Sequence, residues 1–383
     1  MLECQRAAFS LPETLHYLNC AYMAPLPTRV AEAGIEGIRR KLNPATITVE
    51  DFFADSHRVR RLFGQLVNAP PERVALIPAV SYGTALVAKN VECSPGMNVV
   101  IAHEQFPSNV YAWRRLCERT GAELRVVRPP ADPGRRAEGW NERLLEAIDH
   151  ATALVALPPL HWTDGTLFDL ARIGARAREV GAVFVVDGTQ AVGALPFDVQ
   201  QIQPDALFCA GYKWLLGPYA LGVAYLGPRF DRALPLEENW IGRLGSEDFR
   251  GLVNYRDEYQ PGAVRFDVGE RSNFILVPML AAALEMVLEW GVERIQAYCG
   301  RLAELLIAEA EPLGFTVEAE RWRAGHLFGL RAPRELDEGR VQELLRARNV
   351  SISLRGSALR ISPHVYNREE DVDALVAVLR ALA

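Results

Sequence analysis

The chain has 383 residues, of which 49% are hydrophobic and 23% charged, a composition typical of soluble globular proteins. Its length exceeds one ordinary domain and predicts a large domain with a smaller companion. A net charge of -6 gives no reason to expect nucleic acid or an anionic membrane as a partner. The six cysteines show no metal-ligand spacing, so no metal site is expected. The sequence has no signal-peptide pattern and no membrane-length apolar run, which favours a cytoplasmic protein.

Two helices, over residues 29–41 and 56–66, are predicted before the first strand. From about residue 70 onward, apolar runs alternate with amphipathic segments, which indicates an α/β domain with a mainly parallel sheet. The predicted strands cover residues 73–77, 98–102, 123–127, 153–157, 183–186, 206–209 and 222–226. The helices predicted between them cover residues 84–91, 110–119 and 170–180. Residues 242–262 are polar and contain several glycines, and they are predicted to lie outside the core.

The last hundred residues predict a second, smaller unit. Residues 278–289 and 294–309 have apolar side chains at three- and four-residue spacing and predict two long helices. A strand near 325–330, a helix at 338–348, a strand at 359–362 and a helix from 369 follow. We therefore expect a large α/β domain over residues 16–270. A small α+β domain is expected over 275–383, together with the N-terminal residues 1–15.

Lys213 and Asp187 form the most informative pair in the sequence. Lys213 lies in an apolar, glycine-flanked turn after a predicted strand, and Asp187 ends the preceding strand. Pyridoxal phosphate needs a lysine to form a Schiff base with its aldehyde and an acid to keep its ring nitrogen protonated. Either residue alone says little, since a carboxylate after a strand is more often a helix cap. Together they indicate a pyridoxal phosphate enzyme.

Two further residues follow predicted strands of the same domain. Ser81 opens a helix after the first of these strands, where a hydroxyl and backbone N–H groups could hold a phosphate. An ordinary helix N-cap is the simpler interpretation of Ser81 alone. Phe106 follows the next strand and could stack on a cofactor ring or be a core residue. Ligands bind at the carboxyl ends of strands in such sheets, which favours the functional interpretation.

Tyr212 and Arg360 could bind the cofactor and the substrate. Tyr212 could reach the phosphate or the cofactor phenolate, or it could only pack. Arg360 lies in a strand-like segment and suits a bidentate grip on an α-carboxylate, although a surface salt bridge is an equal alternative. His161 and His364 are expected to support the site and not to act as bases, because Lys213 can move the proton itself.

These residues, in this order, resemble the class V aminotransferase branch of the fold-type I pyridoxal phosphate enzymes. The resemblance runs from about residue 17 to residue 367, and its details are most similar to kynureninase and the isopenicillin-N-epimerase-like proteins. It implies a homodimer with active sites at the subunit interface. The cofactor residues that it implies are Ser81, Tyr82, Phe106, Asp187, Gln190, Tyr212, Lys213, Trp240 and Asn273. Arg360 and Tyr22 are implied for the substrate.

The resemblance carries specific expectations for several of these positions. Gln190 stands where the family has a histidine. Trp240 and Asn273 match segments that in the family reach across the dimer to the neighbour's phosphate. Residues 351–360 contain no cysteine where cysteine desulfurases of this class have their nucleophile, so persulfide chemistry on the enzyme is not expected. Residues 161–164 replace a run characteristic of kynureninases, so kynurenine is a doubtful substrate.

The expected function is that of an enzyme acting on a small amino acid, with Lys213 and Asp187 as its catalytic residues. Lyase or hydrolase chemistry at Cβ is favoured narrowly over transamination, and epimerisation also stays open, because fold does not choose among them. A cofactor-binding protein without turnover is a further alternative. A nicotinamide-dependent dehydrogenase is disfavoured because no G-x-G-x-x-G follows the first strand.

Overall fold

A computed structural model describes residues 2–132, 135–356 and 358–383. Its strands are β1 His16–Tyr17, β2 Val74–Ile77, β3 Asn98–Ala102, β4 Glu123–Val127, β5 Thr152–Leu157, β6 Val183–Asp187, β7 Ala206–Ala210, β8 Gly222–Leu226, β9 Phe328–Arg331, β10 Val350–Ser351, β11 Ser353–Arg355 and β12 Ala358–Ile361. Its α-helices are α1 Thr28–Leu42, α2 Ala54–Val67, α3 Val80–Asn90, α4 Tyr111–Thr120, α5 Arg136–Ala147, α6 Leu170–Glu179, α7 Val199–Ile202, α8 Leu276–Trp290, α9 Val292–Ala310, α10 Glu338–Ala347 and α11 Glu369–Leu382.

The large domain is built on a sheet with the strand order β2-β8-β7-β6-β5-β3-β4. The strands from β7 to β4 pair in parallel, and β8 is antiparallel to both of its neighbours. Strands β2, β3, β5, β6 and β7 therefore end at the same edge of the sheet. This mainly parallel α/β architecture confirms the predicted fold class.

Helices cover both faces of the large sheet, which explains why its central strands are almost entirely apolar. All residues of β3, β6, β7 and β8 are buried. One face packs against a core that contains Trp140 and Phe184, and the other against a core that contains Trp113 and Phe208. Strands buried on both faces are typical of parallel sheets between helical layers.

The C-terminal unit contains the antiparallel sheet β11-β12-β9, whose apolar side chains share one core with those of α9, α10 and α11. The N-terminal segment joins it, because β1 pairs in parallel with β10. Helix α8 packs against α1 and α2. Leu280 of α8 belongs to a core of the large sheet, whereas Met286 belongs to the C-terminal core. Helix α8 therefore connects the two units, and the predicted boundary near residues 270–275 stays a prediction.

Most predicted elements are confirmed, with ends that differ by a few residues. Strands β3, β4 and β8 have the predicted bounds. Helix α3 begins at Val80, four residues before the predicted start. Helix α5, whose exposed face is rich in arginine and glutamate, is not among the predicted elements. Residues 242–262 lie mostly outside the core, as predicted, because all of them except Gly242 and Ser246 are at least partly exposed.

Candidate active site

Most of the predicted cofactor residues meet in one cavity at the carboxyl edge of the large sheet. The cavity has a volume of about 260 Å³. The segments that follow β2, β3, β5, β6 and β7 all contribute to its wall, as expected for an α/β sheet. Six predicted residues line it, namely Ser81, Phe106, Asp187, Gln190, Tyr212 and Lys213. Residues from five separate strand ends are thus brought to one place.

Lys213 is held by a tight turn after β7. The Gly211 amide donates to the Leu221 carbonyl at 2.9 Å, and the Gly217 amide donates back to the Gly211 carbonyl at 2.8 Å. A Cβ atom on Gly211 would lie 2.5 Å from the Leu221 oxygen, so the turn needs glycine there. Lys213 is 6% exposed, and burial lowers its pKa to about 8. A substantial fraction of the amine is therefore neutral near physiological pH.

Asp187 is the last residue of β6 and is buried beside the same cavity. The Thr189 amide donates to its Oδ1 at 3.0 Å. Burial raises the pKa of Asp187, while the Thr189 hydrogen bond and the charge of Lys213 oppose the rise. The next α-helix along the described chain begins at Val199 and is capped by Asp198. Asp187 is therefore not a helix cap.

Aromatic side chains form one wall of the cavity. The Lys213 Nζ lies 5.4 Å from the centre of the Phe106 ring. The Phe106 ring meets the Trp162 ring edge to face, with their centres 5.4 Å apart. The Tyr212 ring packs against the Tyr219 ring, with their centres 4.5 Å apart. An aromatic ring beside the lysine is suited to contact a flat heterocycle.

The N-terminus of α3 forms another part of the wall. Ala79, Val80 and Ser81 line the cavity there, and the Ser81 side chain is exposed to it. Among the described residues, no capping side chain accepts a hydrogen bond from the backbone N–H groups at this end of α3. Uncapped N–H groups and a free hydroxyl at the positive end of a helix dipole suit a phosphate dianion.

Gln190 is held by two hydrogen bonds of its side-chain amide and one of its backbone carbonyl. Its Nε2 donates to the Ala21 carbonyl at 3.1 Å, and its Oε1 accepts from the Trp214 Nε1 at 3.0 Å. Its backbone carbonyl lies 2.8 Å from the His326 Nε2. The side chain is therefore held rigidly where it lines the cavity.

Arg360 lies in β12 and is 1% exposed, which excludes a surface salt bridge. Its Nη1 donates to the Trp162 carbonyl at 3.0 Å, and its Nη2 donates to the Ser353 Oγ at 3.2 Å. Its Nε is buried without a hydrogen-bond partner among the described residues. Burial lowers the pKa of Arg360 to about 10. A buried guanidinium with unused donors suits a carboxylate ligand.

Five predicted residues are not part of the cavity wall. Arg360 contacts that wall through the Trp162 carbonyl, and the other four lie away from it. Tyr22 is 57% exposed, and Trp240 is 39% exposed beside Phe52. The Asn273 Oδ1 accepts from the Leu276 amide at 2.9 Å at the start of α8. The Tyr82 hydroxyl is buried without a hydrogen-bond partner in the described chain. One subunit thus does not bring these side chains to the site, and their roles stay predictions.

Several residues that line the cavity were not singled out from the sequence. Trp162 and Thr189 follow β5 and β6, and Gln105 and Ser108 flank Phe106. Their positions just after apolar strands were the available signal. The part of the chain that the structure describes contains no cluster of three or more histidine, cysteine or acidic residues suited to hold a metal ion.

Comparisons with known proteins place this geometry in context. A family model described as aminotransferase class-V matches residues 24–375. A cysteine desulfurase from Enterobacter sp. (strain 638) is 28% identical, with 96% of this chain and 93% of that protein covered. Isopenicillin N epimerase from Streptomyces clavuligerus is 27% identical, with 98% of this chain and 97% of that protein covered.

Solved structures share the same fold. An apo cysteine desulfurase from Thermococcus onnurineus NA1 has a TM-score of 0.84 at 20% identity, with 100% of this chain and 98% of that chain covered. A C-DES mutant with glycine covalently linked to its pyridoxal phosphate cofactor has a TM-score of 0.87 at 19% identity. The match covers 99% of this chain and 100% of that chain. At such low identity these similarities establish the fold alone.

Proposed function

The chain belongs to the aminotransferase class-V family of pyridoxal phosphate enzymes, and we propose that it acts on a small amino acid through Lys213. The favoured chemistry is that of a lyase or hydrolase at Cβ. The observation that carries the proposal is the presence of Lys213 and Asp187, both buried, in one cavity at the carboxyl edge of the sheet.

The residues of the cavity fit this cofactor. Lys213 supplies an amine whose pKa burial has lowered to about 8, and Asp187 supplies a carboxylate for the ring nitrogen. Phe106 would contact the face of the ring, and Ser81 with the N-terminus of α3 would bind the phosphate. Arg360 would bind the α-carboxylate of the substrate. Bound pyridoxal phosphate supplies an aldehyde that condenses with amines and a ring that withdraws electrons from Cα.

Each residue then has one defined task. Lys213 would hold the cofactor through its amine, and the same amine is placed to move the proton at Cα of the substrate. The negative charge of Asp187 would keep the ring nitrogen of the bound cofactor protonated. Arg360 fixes two carboxylate oxygens, which orients the substrate for proton removal. The aromatic wall of Phe106 and Trp162 excludes water from one side of the cavity.

Lyase or hydrolase chemistry is preferred because the sequence around Phe106, Tyr212, Trp240 and Asn273 resembles that of kynureninase. Persulfide transfer by the enzyme is not proposed, although cysteine desulfurases are among the relatives. Residues 351–360 contain no cysteine. Cys20 is wholly buried, and burial raises the pKa of its thiol to about 12, although nearby Lys213 opposes the shift. A thiol in that state is a poor nucleophile.

Product analysis decides between the proposed chemistry and its alternatives, aminotransfer and epimerisation. The holoenzyme is incubated with a panel of amino acids while its visible spectrum and products are followed. A lyase or hydrolase recovers its starting spectrum without any added keto acid, and it releases a Cβ fragment. Stoichiometric conversion of the cofactor to its amine form, reversed by a 2-oxo acid, would replace the proposal with an aminotransferase. Racemised substrate would replace it with an epimerase.

We further propose a cytoplasmic homodimer. All six cysteines are free, which suits a reducing compartment. In the described ranges, no helix is both long and apolar enough to cross a membrane.

Helix α1 exposes Ile35, Ile38 and Leu42 along one face. An apolar face of this kind suits a subunit interface, and Trp240 and Asn273 would reach the neighbour's site across it.

A further inference from the structure

The hairpin of β11 and β12 presents two arginines on one face. Ser353 pairs directly with Arg360 in the antiparallel register, and Arg355 pairs with Ala358. Residues two apart in a strand share a face, so Arg355 lies on the same face as Ser353 and Arg360. Arg355 and Arg360 are thus diagonal neighbours on adjacent strands. Residues in that relation lie about 7–8 Å apart in an antiparallel sheet.

Both arginines contact Trp162, which belongs to the wall of the active-site cavity. Arg360 donates to the Trp162 carbonyl at 3.0 Å. The Arg355 guanidinium lies over the Trp162 ring, 5.6 Å from its centre. Because the Trp162 ring meets the Phe106 ring, the Arg355 guanidinium lies next to the aromatic wall of the cavity.

Neither guanidinium has an acidic partner within residues 2–132, 135–356 and 358–383. Arg355 donates from Nη1 only to the carbonyl of its neighbour Leu354, at 2.8 Å. The Nε atoms of both Arg355 and Arg360 are buried without hydrogen-bond partners in the described chain. Burial lowers the pKa of Arg360 and that of Lys213, and the charge of Arg355 lowers both further. Two neighbouring guanidinium groups with unused hydrogen-bond donors favour the binding of two anionic groups.

We propose that Arg355 binds a second anionic group, on the side chain of the substrate, while Arg360 binds the α-carboxylate. The preferred substrate class is therefore an amino acid with an acidic side chain. This inference rests on the proposed function, because it takes Arg360 as the α-carboxylate site. A short dicarboxylic amino acid has two carboxylates at a spacing that two neighbouring arginines can bind together.

Equilibrium binding of matched amino acids to the holoenzyme tests the inference. L-Aspartate is compared with L-asparagine, and L-glutamate with L-glutamine, by spectral titration and calorimetry. In the wild-type protein the acidic member of at least one pair should bind about tenfold more tightly or better, because a charge-assisted contact is lost in the amide. Arg355→Gln should reduce that ratio to about one without weakening asparagine binding. Arg360→Lys should weaken both members of each pair.

Arg348→Gln is the matched control, since it removes an exposed arginine from the same unit. It should leave the aspartate to asparagine ratio unchanged. Equal affinity of the wild-type protein for both members of each pair would overturn the inference while leaving the proposed function intact. A ratio that survives Arg355→Gln would also overturn it. Failure of every amino acid to bind would instead contradict the proposed function itself.

Discussion

Lys213 differs from the other two lysines of the chain in its surroundings. Lys41 and Lys89 are exposed, and Lys89 donates to the Pro235 carbonyl at 2.7 Å. Lys213 is buried among aromatic rings beside Asp187 and Arg360. Burial without a close acidic hydrogen bond favours the neutral amine, which is the nucleophilic form.

This environment predicts a pH dependence for cofactor attachment. Burial lowers the pKa of Lys213 to about 8, against the opposing effect of Asp187. The neutral fraction of the amine, and with it the attachment rate, should rise about tenfold per pH unit below pH ~8 and then level off. Stopped-flow absorbance of the cofactor-free protein mixed with pyridoxal phosphate measures the rate. A rate that still climbs steeply near pH ~10 would show that Lys213 titrates like an exposed lysine.

Asp187 is predicted to act through its charge and not through its hydrogen bonds. Asp187→Asn keeps the size of the side chain and its acceptor for the Thr189 amide but removes the charge that favours a protonated ring. Turnover should fall about a hundredfold to a thousandfold, with cofactor still bound. Steady-state kinetics measures the loss. Asp198→Asn is the control at a true helix cap, where asparagine is an equal substitute.

At the scale of elements, strand ends bring the site together and close packing sets their positions. Gly83 of α3 lies against Phe208 of β7, the strand that leads to Lys213. A Cβ atom on Gly83 would lie 2.4 Å from the buried Phe208 ring. The N-terminus of α3 can therefore stay beside the cavity only while residue 83 has no side chain.

Gly83→Ala should displace α3 from β7. The overpacking should lower the free energy of unfolding by about 1–3 kcal/mol and weaken cofactor binding at the helix N-terminus. Chemical denaturation and a pyridoxal phosphate titration measure the two effects. Gly300→Ala in α9 is the matched control, because its Cβ would meet nothing within 4 Å. That variant should be more stable by about 0.4–1 kcal/mol. Native stability and affinity in Gly83→Ala would refute the role of this contact.

At the scale of the whole molecule, the proposed dimer predicts complementation between two defective variants. Lys213→Ala removes the anchor from its own site, and Trp240→Ala removes a group proposed to serve the neighbour's site. A mixed dimer would contain one intact site, so mixing and refolding should restore about a quarter of wild-type activity. Activity of the mixture, with sedimentation to establish its mass, measures this. No recovery in a mixture shown to contain mixed dimers would place Trp240 outside the active site.

The sequence predicted the large sheet well because its strands are apolar on both faces, as in β3 and β8. It also pointed to Lys213 and Asp187 by residue type and order. The structure brings both to one cavity, and their catalytic roles stay a prediction. It missed α5, although Ala137, Trp140 and Leu144 have helical spacing there.

Other features depend on tertiary contacts that local pattern does not contain. The pairing of β1 with β10 joins segments more than 330 residues apart and involves two residues on each strand. The approach of Arg355 to Trp162 likewise depends on how the C-terminal hairpin meets the large sheet. Neither could be derived from propensity or periodicity.

The attachment of the cofactor to Lys213 is the central claim, and borohydride reduction tests it most directly. Treatment of the holoenzyme should bleach its visible absorption and leave a covalent pyridoxyl group, which peptide mass spectrometry should locate on Lys213. Lys213→Ala should bind pyridoxal phosphate without forming that adduct and should not turn over. An adduct on Lys41 or Lys89, the only other lysines, would contradict the account.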